Sequence, residues 1–295
     1  MEKANNRRSL GTFITSMLIF GTIGVLRRYI PLSSALLCFT RGILGGLFLL
    51  IFVRIKKIDA GVKPDRSVFI RLIITGAMIG INWILLFEAY NYTTVAIATL
   101  CYYMEPTIII LLSPFIFKEK LTGKKALCAV ISIAGMILVS GVIGDSGAGS
   151  GSIKGVILGL GAALFYSAVV IMNKKTPGVE QYRRTTVLLL SAGLVMLPYL
   201  IIKKEAAGGL ISPTAIILLL IMGIVHTGIA YAMYFGSMDG LKMQTIAVLS
   251  YIDPVSALIF SAILLKEPLG ITGIIGAVMI IGSAMISEMP TAKES

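Results

Sequence analysis

The chain has 295 residues, 57% of them hydrophobic and only 14% charged, with a mean hydropathy of +0.93. A soluble domain is only about half apolar, so water is excluded as the main solvent and the lipid bilayer becomes the partner of most of the surface. The net charge of +12 suits anionic headgroups and not nucleic acid, because the Lys and Arg residues cluster between apolar runs instead of forming one basic face of a soluble fold.

A helix crosses hydrocarbon in about 20 residues. On that length the apolar runs place spans at 10–26, 32–53, 68–90, 94–117, 123–142, 152–172, 185–202, 213–236, 242–265 and 269–287. Arg7 and Arg8 ahead of the first run imitate a signal peptide, but no small-residue cleavage site follows, and the run is read as the first helix. Cys38, Cys101 and Cys128 fall inside apolar runs without CxxC spacing and are expected to pack. The glycine- and serine-rich stretch from Gly144 to Ser152 lacks the GK[ST] of a phosphate loop and reads as a linker. Of the 26 Lys and Arg, 19 fall on one side of this topology, 6 on the other and Arg41 within a span. Positive residues stay in the cytoplasm, so both termini are expected there, in a multi-pass protein of the cell membrane.

Shifting the sequence by 148 positions lays Glu105-Pro106 on Asp253-Pro254, Tyr103 on Tyr251, Phe87 on Phe235, and Lys118-Glu119 on Lys266-Glu267. Each half, 1–147 and 148–295, then carries five helices, and an odd number makes the second copy enter the membrane from the opposite side. The expected fold is an all-α membrane protein of ten transmembrane helices in two inverted five-helix repeats, with a small-molecule site near the midplane at their interface. The Pro106 and Glu119 spacing, repeated at Pro254 and Glu267, resembles the twin-repeat pattern of the drug/metabolite transporter superfamily, EamA type, over nearly the whole chain. That resemblance implies transport of small metabolites, such as amino acids, amines, nucleotide precursors or toxic organic compounds, without choosing among them, and export as the direction; amino acids or amines lead.

Individual residues sharpen the site. An ionised Glu105 or Asp253 in mid-span costs about 3 kcal/mol, so each must face a cavity, a partner or a proton, or bond to a neighbouring helix. Pro106 and Pro254 remove the N–H groups that the Tyr102 and Ser250 carbonyls would accept, opening a polar gap and a place to bend, a hinge or a packing kink. Arg41, a third of the way into its span, is expected to pair with Glu88, Glu105 or Asp253. Such a pair leaves two acids over, so the cavity favours a cation or a proton, unless the pair serves folding alone.

Trp83, Phe87 and Tyr90, with Tyr102, Tyr103, Tyr166, Tyr231, Tyr234 and Tyr251, either pack or cage an ammonium or an aromatic ring. His226, the only histidine, is a proton relay or a structural residue. Glu119 and Glu267, in the positions that match the resembling pattern, are expected to orient the helix that follows each of them. Gly42/Gly46 and Gly155/Gly159 permit close helix approach, between protomers or between neighbours; the oligomeric state is left open.

No metal-ligand cluster, cofactor motif or ATP-binding motif is present in the sequence, so any energy must come from a gradient, with protons as a candidate coupling ion, or from a separate partner. The expectation is an alternating-access secondary carrier. A channel-like pore is the alternative, and an intramembrane hydrolase using Glu105 and Asp253 a remote one.

Overall fold

A computed structural model of the chain describes residues 2–58, 64–116, 118, 121–139, 152–176, 178–203, 212–238, 241, 243–267 and 269–288. The linker 144–151 and Glu119 therefore lie outside the described residues. Every regular element among these residues is helical: α1 (Glu2–Gly21), α2 (Ile23–Arg28), α3 (Ser34–Ile55), α4 (Arg66–Tyr92), α5 (Val95–Tyr102), α6 (Glu105–Ile116), α7 (Gly123–Val139), α8 (Ile153–Lys174), α9 (Gln181–Leu194), α10 (Leu197–Lys203), α11 (Pro213–Leu220), a π-helix (Ile221–Ile229), α12 (Ala230–Met238), α13 (Met243–Ser250), α14 (Ile252–Leu264) and α15 (Ile271–Glu288).

Among the described residues, seven stretches are long and apolar enough to cross a bilayer: Arg7–Arg28, Ser34–Ile55, Arg66–Tyr92, Val95–Ile116, Ile153–Lys174, Gln181–Ile202 and Pro213–Met238. Twenty-two residues rise about 33 Å, the thickness of the hydrocarbon core. The remaining expected spans are shorter helices, α7 with 17 residues, α14 with 13 and α15 with 18. Phe115, Ile202 and Ile271 are 83%, 78% and 79% exposed. Side chains of that size left outside the core identify hydrocarbon as the medium around them.

Polar residues start several of these helices. The hydroxyls of Ser33, Thr94 and Ser212 accept from backbone N–H groups in the first turns of α3, α5 and α11. Glu180 accepts from both Tyr182 and Arg183, which starts α9 at Gln181, ahead of the apolar run that places it at 185. Several stretches read as single spans are interrupted: at Thr22, at Val195 and Met196, by the π-helix, and ahead of both acid-proline pairs.

The most extensive packing joins early helices to late ones. α4 lies along α8 and α9, α3 along α9 and the π-helix, α1 along α12 and α14, α5 along α8 and α14, and α7 along α15. Glycines set the closest approaches. A Cβ on Gly42 would stand 2.5 Å from the Gly193 nitrogen, and one on Gly276 would stand 2.5 Å from the Gly135 oxygen. Gly155 and Gly159 lie against Thr93 and Cys101 of the same chain. The small-residue pairs therefore pack neighbouring helices within one chain. Cys38, Cys101 and Cys128 are buried free thiols, as expected of packing residues.

One end of the bundle gathers Arg28, Thr93, Lys154 and Glu267. Arg28 Nη2 bonds to the Thr93 carbonyl (2.8 Å) and to Glu267 Oε1 (3.0 Å), and Lys154 Nζ sits 3.9 Å above the Tyr92 ring. The other end gathers Phe52, Tyr182 and Phe235, with Tyr182 6.1 Å from each ring.

Candidate binding cavity

A cavity of about 430 Å³ opens among α1, α3, α4, α5, α8, α9, α12 and α14. Its size falls within the range of small-ligand sites. It runs from Glu105 and Asp253 to Asn173, Gln181 and Arg184, where Gln181 is exposed, so its mouth lies at the Tyr182 end of the bundle. The Arg28–Glu267 end lies beyond its floor.

Both acids occupy first turns. α5 stops at Tyr102 and α6 restarts at Glu105; α13 stops at Ser250 and α14 restarts at Ile252, with Asp253 next. The breaks fall where Pro106 and Pro254 remove backbone donors. The restarted helices present their positive dipole ends to the two carboxyls. The Tyr103 hydroxyl donates to Asp253 Oδ2 (2.5 Å), and Ser167 Oγ donates to the Glu105 backbone carbonyl (3.2 Å).

Arg41 also lines the cavity and is 5% exposed. Its guanidinium carbon lies 4.3 Å from the Trp83 ring centre and 5.7 Å from that of Phe87, and its Nε donates to Thr227 Oγ1 (2.8 Å). None of the expected carboxylates is paired with it: among the described residues the ion pair within 4 Å is Arg28–Glu267. Stacking on an indole face and one hydroxyl acceptor hold the cation instead.

Aromatic side chains form the remaining wall. Tyr102 is 5.4 Å from both Tyr103 and Tyr166, Tyr231 stacks on Phe235 at 5.9 Å, and Trp83, Tyr90 and Tyr234 also face the space.

Other expected residues lie elsewhere. Tyr251 packs at the edge of a separate apolar cluster around Ile280, and Glu88 and His226 are absent from the described lining. His226 is buried, its Nε2 hydrogen-bonded to Thr22 Oγ1 (2.8 Å) and its Nδ1 3.3 Å from the Ile221 oxygen. Glu267 does not orient the helix that follows it. It accepts from the Val95 N–H and from Ser261 Oγ, both at 3.0 Å, and so caps α5, far away in sequence. Sequence reasoning missed Thr99, Asn173, Gln181 and Arg184, ordinary polar residues that line the cavity, and the buried Thr227 that holds Arg41, because their positions depend on helices distant in the chain.

Helices built for lipid around a polar, aromatic-lined cavity define an integral membrane protein with an internal cavity of small-solute size. The EamA-like transporter family matches residues 8–141 and 153–289, and the chain belongs to that family of membrane transporters. It is similar to the uncharacterized transporter YxxF of Bacillus subtilis (strain 168), 27% identical over 250 residues, covering 85% of this chain and 79% of that protein. An uncharacterized transporter of Archaeoglobus fulgidus is 24% identical over 274 residues, covering 93% and 94% of the two chains. A solved structure, described only as the crystal structure of a protein, shares the fold with a TM-score of 0.65 and 20% identity over 96% of both chains. Family and relatives point to a transporter of small solutes, not an enzyme.

Proposed function

We propose that the chain is a secondary active carrier of small metabolites that bear an ammonium group, amino acids or amines, working by alternating access with a proton as counter-ion. The observation that carries this reading is the pair of carboxyls, Glu105 and Asp253, in the first turns of two restarted helices and facing one aromatic-lined cavity. A carboxyl that faces such a cavity takes up either an ammonium or a proton, and the two ligands compete for it.

Two inverted five-helix repeats, 1–147 and 148–295, are part of the proposal. Reciprocal packing supports them: α4 on α8 is answered by α1 on α12, α6 on α8 by α1 on α14, and α4 on α9 by α3 on the π-helix, while α3 on α9 and α7 on α15 pair counterparts. Left-handed backbone at Lys118 (φ 57°) and Lys266 (φ 55°), 148 positions apart, supports them too. With both termini cytoplasmic in the cell membrane, the mouth near Arg184 opens inward, ready to load an exported solute. The Arg28–Glu267 contacts beyond the cavity floor favour a carrier over an open pore.

Substrate-evoked current and labelled counterflow in proteoliposomes test this, with amines, amino acids, nucleosides and sugars offered with and without a pH gradient. The expected result is a response confined to ammonium-bearing solutes and lost in Glu105→Gln/Asp253→Asn. Unchanged binding and pH dependence in a folded double variant would make both acids structural.

A further inference from the structure

Two arginines inside this protein are almost fully buried, and they are used differently. Arg27, 6% exposed, commits both Nη groups to the fold, Nη1 donating to the Ile30 carbonyl and Nη2 to Ser34 Oγ and Asn91 Oδ1, and its Nε is sealed away without a partner. It does not line the cavity. That is how an arginine is spent on holding a fold. Arg41, 5% exposed, commits only Nε, to Thr227, and its two Nη groups have no hydrogen-bond partner among the described residues. They are also not among the sealed, unsatisfied side-chain atoms, so they face the cavity that Arg41 lines.

The surroundings fix how that fork is presented. The Trp83 ring covers one face of the group, its centre 4.3 Å from the guanidinium carbon, and the Thr227 hydroxyl takes the Nε edge. A planar cation held by one face and one edge offers its remaining N–H groups in parallel, the geometry that grips a carboxylate in two-point fashion. Thr227 is itself positioned by the π-helix, where its hydroxyl donates to the Met222 carbonyl five residues back (2.9 Å). A phosphate dianion is disfavoured because Glu105 and Asp253 share the cavity.

From this geometry we infer that Arg41 is the anchor for a carboxylate of the transported solute, so that the solute is a zwitterion, its carboxylate on Arg41 and its ammonium on Asp253, and a simple amine is a poor ligand. This rests on the proposed function for the ammonium half, narrows its substrate class and assigns a specificity-determining residue.

Calorimetric titration of the full chain in lipid nanodiscs tests the inference. The probes are the protein amino acids, each beside its decarboxylated amine, its amide and its deaminated carboxylate. Trp83, the only tryptophan, reports contact with the Arg41 stack through its emission for every probe that does not itself fluoresce. The best amino acid should bind at least about tenfold tighter than its amine and its amide, and it alone should shift Trp83 emission. Arg41→Gln should erase that preference by weakening the amino acid and not the amine, which loses a repelling charge, and Arg41→Lys should restore only part of it, because an ammonium lacks the fork.

Amines binding as tightly as amino acids overturn the Arg41 assignment and leave the acid-centred function standing. Carboxylates binding without an ammonium, unaffected by Asp253→Asn, overturn the ammonium reading and retain Arg41 as the anion anchor. Silence across the panel overturns both. If Arg41→Gln fails to fold, the comparison of amino acid, amine and amide on the unaltered protein still decides.

Discussion

Thr227 holds Arg41 across 186 positions of sequence by a single hydroxyl that is fully buried. Replacing it with valine keeps the shape and removes the acceptor. A lost hydrogen bond to a charged group costs about 1.5–3 kcal/mol, so Thr227→Val should melt lower by that amount, with a change in Trp83 emission as the guanidinium loosens. The acids and Arg41 were legible from sequence because charge inside an apolar run is expensive and needs a reason. Thr227 was not, since a threonine in a membrane helix costs little and satisfies its own hydroxyl on a nearby carbonyl. The expected carboxylate partner for Arg41 failed for a related reason: an indole face also stabilises a cation, and charge counting ignores aromatic rings.

At the scale of helices, proline and glycine carried the legible signal. Both acid-proline pairs mark true breaks, and Gly42 does mark a close approach, whose partner Gly193 follows from no spacing rule. Gly42→Val should therefore push α3 off α9 and destabilise the fold by about 3 kcal/mol or more, read as lost monodisperse protein after extraction. Gly11→Ala, with nothing within 4 Å of the added carbon, is the matched control and should leave yield unchanged. Pro106→Ala returns a donor to the Tyr102 carbonyl, and turnover should fall while solute binding persists, measured as counterflow against calorimetry. The π-helix was invisible because no residue type demands it. It arises where Gly223 and Gly228 fit beneath Leu44 and Phe48, which is a property of α3 and not of the segment itself.

For the molecule as a whole, hydropathy made the membrane class legible, and the 148-residue offset marked the positions where left-handed lysines recur. The contact between Glu267 and α5 was beyond reach, because it joins positions 172 apart through a backbone N–H that carries no sequence signature. That contact predicts an asymmetric result for charge exchange. Glu267→Ala should cost about 1–3 kcal/mol through the lost cap and the lost acceptor for Ser261. The double exchange Arg28→Glu/Glu267→Arg should not restore it in a thermal melt, because an arginine at 267 repels the Val95 donor that the glutamate satisfied.

The crossing of early helices over late ones also bears on biogenesis. While the ribosome is still making the second half, α3 and α4 are in the bilayer with their glycine faces bare, since the α9 surface that covers them does not yet exist. Lipid must shelter those faces until the partner helices emerge, so assembly waits on the last part of the chain. Expressed alone, 1–147 should be cleaved rapidly by protease, and co-expression with 148–295 as a separate chain should restore resistance, because the most extensive interfaces join helices of one half to helices of the other.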